Sequence, residues 1–408
     1  MGEDPMRTLQ GIAGLLAGAC LAVPLHAADA VTIEVRAGAH DRRGSVVRAA
    51  LPAEVAPAGP WRLVDAEGGR EVPVQIRSGT PPAAVWILEA PLAAGQTRTY
   101  RLEPQAPAAV PGVVCTDTPG KSLCFCVGRL PVVQYNYGIV PPPEKVEPHF
   151  ARSGYLHPVW SPGGAVVSND YPLNHKHHHG IWFPWTNTVF EGRKVDFWNM
   201  GDRKGTVEAV GLDAKFEGPV CAGFRARHRF LDLTAPGGPK EALRETWAVT
   251  VWNSKEPFLF DLESVQACAG PSPLRLVKYH YGGMGFRGSI EWETKEGAAF
   301  LSSEGKTRAD GNGTPSRWCI LSGRVGGAPK TIVFYGHPAN FRAPQPMRLH
   351  PDEPFFCYCP AVTGDFTIEP GTPYVSRYRY SVHDGEVAPS EAERIWTDYA
   401  EPPEARVK

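Results

Sequence analysis

Apolar and polar side chains alternate residue by residue in segment after segment of this chain, and that alternation restricts it to sheets. In Val31-Thr32-Ile33-Glu34-Val35-Arg36 every second side chain is apolar, the period-two signature of a strand with one buried face. Near the other end Ser376, Tyr378, Tyr380 and Val382 share one face, while Arg377, Arg379 and His383 take the other. The latter face is expected to look toward solvent or a cleft. Further strands are expected at Trp61 to Val64, Val72 to Ile76, Ala84 to Leu88, Thr97 to Leu102, Thr246 to Trp252, Phe258 to Val265 and Thr331 to Tyr335. Forty-three glycines and 41 prolines, without periodicity and beside 10% aromatic residues, suit short strands joined by many turns. Only the carboxy-terminal stretch reads as helix, with Ser390 and Glu393 as a capping box ahead of Ile395 and Trp396. The fold class is therefore all-β. Heptads, solenoid repeats and Gly-rich phosphate loops are absent from the sequence.

At 408 residues the chain exceeds the usual single core, and two domains are expected. Residues 29–105 form a small N-terminal β domain that ends in the linker Glu103-Pro104-Gln105-Ala106-Pro107; residues 112–402 form a large one. Residues 1–28 read as an export signal: Arg7 precedes the apolar run Gly11 to Leu25, and Ala27 and Ala28 offer a cleavage site. The expected location is periplasmic or secreted. No other segment approaches the roughly 20 apolar residues that cross a bilayer. Lysine plus arginine (42) balances aspartate plus glutamate (43) with no basic stripe, which argues against a nucleic-acid partner. Eight cysteines follow Cys20; in an oxidising compartment they can pair, or stay as buried thiols, and Cys124 and Cys126, like Cys357 and Cys359, share a strand face.

Chemistry concentrates in Asn174-His175-Lys176-His177-His178-His179-Gly180, where four of thirteen histidines fall within five positions. Imidazole titrates near neutrality and ligates metals, so the segment can serve acid/base work, metal capture or both. Pro172 and Gly180 bracket it and disfavour a helix. In an extended chain His175, His177 and His179 point one way and His178 the other. Three readings stay open: histidines bonded to backbone and packed on Trp182 and Trp185, a divalent metal held by His175, His177 and His179, and metal-free acid/base or substrate contacts. No organic cofactor is expected.

Around this segment lie Tyr135, Asn136, Tyr155, His157, Asp170, Trp182, Asp196 and Trp198. Aromatic faces beside amides and carboxylates suit a sugar, whose ring stacks on indole while its hydroxyls take directed hydrogen bonds. The runs Tyr155-Leu156-His157-Pro158, Asp170-Tyr171-Pro172, His175 to Phe183, Val195-Asp196-Phe197-Trp198, Gly282 to Arg287, His337 to Arg342 and His383-Asp384-Gly385 resemble a soluble exported bacterial family labelled methane oxygenase PmoA. Membrane methane monooxygenase subunits need transmembrane helices, so the resemblance implies architecture and not methane oxidation. It implies a β-supersandwich similar to galactose-mutarotase-like proteins, after a small N-terminal β-sandwich. Where that family has an arginine after two histidines, this chain carries His179.

Together these features lead to an exported carbohydrate-active enzyme, a lyase or hydrolase acting on an oxidised or acidic glycoside. Elimination needs a base, a group to hold the enolate and an acid. His157, His177, His178 and His179 are candidate bases, Arg287 or Arg342 the enolate holder, and Tyr155 or Tyr135 the acid. Tyr135, Asn136, Asn174, His175, Trp182, Asp196, Trp198, His337 and Arg342 are candidate substrate contacts. Paired-carboxylate hydrolysis would use Asp170 and Asp196. A non-catalytic carbohydrate-binding protein is the alternative, and a metal-dependent enzyme another.

Overall fold

The computed structural model describes residues 1, 30–53, 55 and 60–408. The export-signal reading and Cys20 lie outside them. The expected all-β class holds: two eight-stranded antiparallel sheets pack face to face, with smaller sheets around them. In the first the strand order is Met347–Leu349, Phe355–Tyr358, Met284–Arg287, Ile181–Trp182, Tyr155–Val159, Leu130–Asn136, Ser122–Val127, Val113–Thr118. In the second it is Gly205–Phe216, Cys221–Asp232, Lys240–Trp252, Phe258–Cys268, Tyr374–Asp384, Ala328–Gly336, Trp318–Val325, Ala298–Ser302. Their facing sides make the largest core, where Phe125, Phe224, Trp247, Phe260, Phe334 and Tyr380 are all buried. Strand parity selects them: Tyr374, Tyr378, Tyr380 and Val382 enter this core.

The opposite face of Tyr374–Asp384 is covered, against expectation. The helix Pro389–Ala400 lies there, with Ala392 and Ile395 packed on Trp318, Ile320, Val333 and Tyr335. Arg379 pairs with Asp261 at 2.6 Å and its guanidinium sits 4.6 Å from the Tyr399 ring. The expected capping box does not form. Ala388 is the N-cap and Pro389 takes the first helical position, which puts Ser390 two residues past the cap, and Glu393 instead accepts from Trp318 Nε1 at 2.6 Å.

A separate core, built on Ile33, Leu63, Trp86, Tyr100 and Leu102, lies among a five-stranded and a three-stranded sheet. The expected strand Val72 to Ile76 is broken by Pro73, which has no N–H to give a ladder. Glu71–Val72 joins the five-stranded sheet and Gln75–Arg77 the three-stranded one. The last strand, Glu404–Val407, returns to pair with Val31–Arg36, with Ile33 opposite Val407. Among the described residues all eight cysteines are free thiols. Two residues on one strand span about 6.7 Å, at the limit of disulfide geometry, which explains why Cys124 and Cys126 do not bridge. No helix among the described residues is long and apolar enough to cross a membrane.

Candidate active site

In the first large sheet Leu156 pairs with Ile181, Ile181 with Phe286, and Phe286 with Phe356, all four turned into the main core. Parity then sends Tyr155, His157, Trp182, Arg287, Phe355 and Cys357 to the outer face. Tyr155, Trp182, Trp198, Phe355 and Cys357 make a second buried layer there. Aromatic side chains of this size each bury on the order of 150–250 Å², worth roughly 4–6 kcal/mol at about 25 cal/mol per Å². The histidine segment lies across this layer.

That segment is not extended. His175 N donates to Pro172 O at 3.0 Å and His178 N to His175 O at 2.8 Å, two successive turns entered through Tyr171 at φ 51°. Gly180 closes the loop where a Cβ would stand 2.2 Å from Leu156 O. The turns overturn the expected grouping of His175, His177 and His179. His175 and His178 stack instead, 4.6 Å apart at 11°, and His179 turns away into the protein.

Four histidines consequently do four things. His179 is fully buried, its Nδ1 2.5 Å from Asp170 Oδ1 and its Nε2 without a partner among the described residues. Burial lowers its pKa against the opposing pull of Asp170. Burial would raise the Asp170 carboxyl, but His179 beside it outweighs that and holds it below the usual range. Tyr155 donates to the same carboxylate at 2.7 Å, and burial, then Asp170, raise its pKa, so it is no free acid. His178 is buried between Phe355, stacked at 4.7 Å, and Trp182 at 5.1 Å. His177 has no hydrogen-bonded partner among the described residues; burial, then His175 and His179, push it down to about 3. His175 is half-buried, with Nδ1 3.0 Å from Glu353 Oε2.

A cleft of about 260 Å³ opens beside this loop. His175, His177 and His178 line it together with His280, His350 and Arg348; Asn199 and Tyr281 stand at its side and Trp198 and Phe355 form its apolar lining. His350 Nδ1 accepts the backbone N–H groups of Asp352 and Glu353 at 3.3 and 3.2 Å, so its other nitrogen carries the proton. Burial pushes its pKa down to about 4. Arg348 donates to Asn312 Oδ1 at 3.2 Å and pairs with no carboxylate among the described residues.

Several expected site residues serve the scaffold. Arg287 is fully buried: it pairs with Glu293 and Glu353, donates to Asn174 Oδ1 at 3.1 Å and approaches His178 Nδ1 at 3.3 Å, leaving nothing for an enolate. Asn174 in turn donates to Glu353 Oε1 at 2.8 Å. Tyr135 lies in the main core, stacked 4.2 Å from Phe224, with its hydroxyl 2.7 Å from His228 Nε2. Asn136 donates to His157 O at 2.7 Å. His157 Nδ1 meets Ser168 Oγ at 2.9 Å, away from the cleft lining. Asp196 accepts from Trp198 N, Asn199 N and Thr186 Oγ1 at 2.9, 2.9 and 3.0 Å and shapes the turn. Arg342 donates to Pro360 O, Gly364 O and Asp365 O, and His337 lines a different cavity with Trp396. Trp182 sits beneath the loop, fully buried, and only Trp198 of the two reaches the cleft.

Sequence reading missed His280, His350, Arg348 and Glu353. Tyr279-His280-Tyr281 carried a signal, an imidazole between two aromatics next to Gly282-Gly283; the others carried none. The residues able to hold a metal are also different from those expected. His175, His178 and Glu353 place one ligand atom each within 4.8 Å of one another, and His177 and His179 do not join them.

Residues 122–397 match DUF6807, a family of unknown function, and the chain belongs to that family. The methane-oxygenase label of the sequence resemblance finds no support. No curated protein matches. Among solved structures the chain is similar to an alpha-mannosidase from Enterococcus faecalis, at 12% identity and TM-score 0.51, over 93% of this chain and 46% of that one. It is also similar to a protein in glycosyl hydrolase family 38 from the same organism, at 11% identity and TM-score 0.47, over 93% and 47%. The chain thus spans about half the length of these proteins, and at such identity the likeness concerns the fold alone.

Proposed function

We propose that this chain is an exported carbohydrate-active enzyme whose cleft takes an acidic or oxidised sugar and moves a proton on it. One observation carries this reading: the Arg348 guanidinium lines the cleft without a carboxylate partner among the described residues, beside a group of imidazoles, while Asp170 and Asp196 are committed elsewhere. Such a lining favours an anion, and the Trp198 and Phe355 faces favour a ring. Paired-carboxylate hydrolysis has no support, because Asp170 is held by His179 and Tyr155, and Asp196 by its own turn.

In this reading Arg348 holds the sugar carboxylate, or the enolate oxygen that develops from it. His177, free of hydrogen-bonded partners among the described residues, takes the proton from the adjacent carbon. The N–H of His350 hydrogen-bonds the departing oxygen, which leaves with the electron pair of the broken C–O bond and receives the proton from the His177 imidazolium, while the pair of the broken C–H bond becomes the new double bond. Tests of this reading use the full chain against a panel of acidic, oxidised and neutral glycosides, with products followed by mass spectrometry and near-ultraviolet absorbance. Arg348→Ala is expected to raise KM for acidic substrates at least tenfold and leave neutral ones unchanged. A preference for neutral sugars, or indifference to Arg348→Ala, rejects the anion-binding role. Binding without turnover across the panel would leave a sugar-binding protein.

A further inference from the structure

His175 Nδ1 is buried and lies 3.0 Å from a Glu353 oxygen, yet the two are not aligned as donor and acceptor, and the nitrogen has no hydrogen-bonded partner among the described residues. Two groups that stand this close without addressing one another can address a third point. His178 supplies the third ligand atom, its ring packed 4.7 Å from Phe355. Ligands about 2.1 Å from a tetrahedral ion lie about 3.4 Å apart, so the His175 and Glu353 atoms, 3.0 Å apart, must open slightly and the wider separations, within 4.8 Å, must draw in.

Charge favours a cation there. Arg287 contributes one positive charge and Glu293 and Glu353 two negative ones, so with neutral imidazoles the group carries a net negative charge. The carboxylate is held in place by Arg287 and by Asn174, the kind of outer support that fixes metal ligands. Two contacts of Arg287 compete, its pair with Glu353 Oε2 and its approach to His178 Nδ1, and the latter, at 3.3 Å, is the longest of that guanidinium's five contacts. An ion would replace it.

We propose that His175, His178 and Glu353 bind one divalent first-row transition-metal ion, with zinc the best match to two imidazoles and a carboxylate. Three protein ligands leave the remaining position open toward the cleft. The proposal does not rest on the sugar reading, since metal binding is measured without any sugar.

The test strips the full chain with a chelator and titrates it calorimetrically with zinc chloride alone, alongside thermal unfolding with and without zinc. The expected result is one zinc per chain and a rise in Tm. His175→Ala, at a half-exposed loop position, and Glu353→Gln should each weaken binding at least a hundredfold, while His337→Ala should not. Thermal unfolding of the stripped variants checks that each is folded. Absence of tight binding to the wild type, or binding that survives both ligand substitutions, overturns the proposal. Failure of the glycoside screen with zinc bound would reject the sugar reading and leave the metal site standing.

Discussion

Replacing Tyr135 by phenylalanine deletes one oxygen from the middle of the protein and keeps the ring that stacks 4.2 Å from Phe224. That oxygen sits 2.7 Å from His228 Nε2, whose Nδ1 meets Glu245 Oε2 at 2.9 Å; Glu245 Oε1 accepts from Ser264 Oγ at 2.6 Å and Gln266 Nε2 at 2.9 Å. All these groups are buried. The substitution leaves His228 Nε2 without a partner in a dry core, which costs about 1–3 kcal/mol. Glu245→Leu orphans three groups at once and should cost roughly 3 kcal/mol or more by the same reckoning. Equilibrium urea unfolding, followed by tryptophan fluorescence, reads both as lower midpoints at an unchanged slope. Sugar affinity of Tyr135→Phe should match the wild type. The opposite pattern, unchanged stability with a tenfold loss of sugar affinity, would refute the core assignment and return Tyr135 to the substrate-binding role that the sequence suggested.

Arg287→Met leaves Glu293 and Glu353 without their shared cation and should destabilise the metal-free protein by about 3–5 kcal/mol; adding Glu293→Gln should recover part of it. A stable Arg287→Met with impaired turnover alone would speak for the enolate role. His383 is pushed down to about 4 by burial from an ordinary 6.5, so the unfolded chain takes up a proton below about pH 6.5 that the folded protein declines. Stability should therefore fall from pH 6.5 toward pH 4 by up to roughly 1.4 kcal/mol per pH unit, then level off. His383→Gln should flatten that part of the urea midpoint profile between pH 7 and pH 5, and a slope equal to the wild type's would contradict the burial argument.

Most strands were legible because a strand's pattern is written into adjacent residues: Tyr374–Asp384 turns its tyrosines to the core and its arginines away, as the alternation required. What covers the arginine face was not legible, since the helix that packs there follows the strand through a turn whose direction no local pattern specifies. The failed capping box has the same origin in reverse. Ser390 and Glu393 have the right spacing, yet Pro389 and the indole of Trp318, 75 residues from Glu393, decide their roles.

The density of histidines between Asn174 and Gly180 marked the site by itself, because so many titratable rings in one loop have few purely structural uses. Which rings face the cleft depended on two turns at Pro172 and His175 that replaced an extended chain, bringing His178 to the cleft beside His175 and His177 and sending His179 into the protein. Glu353, His350, Arg348 and His280 joined them through sheet order alone: Phe355–Tyr358 pairs with Met284–Arg287, which pairs with Ile181–Trp182. Hydrogen-bonded neighbours in such a sheet are set by the packing of whole faces, a property of the assembled core. Residue types and their local spacing therefore determined the class of fold and the place of the candidate site, and tertiary packing decided which side chains line it.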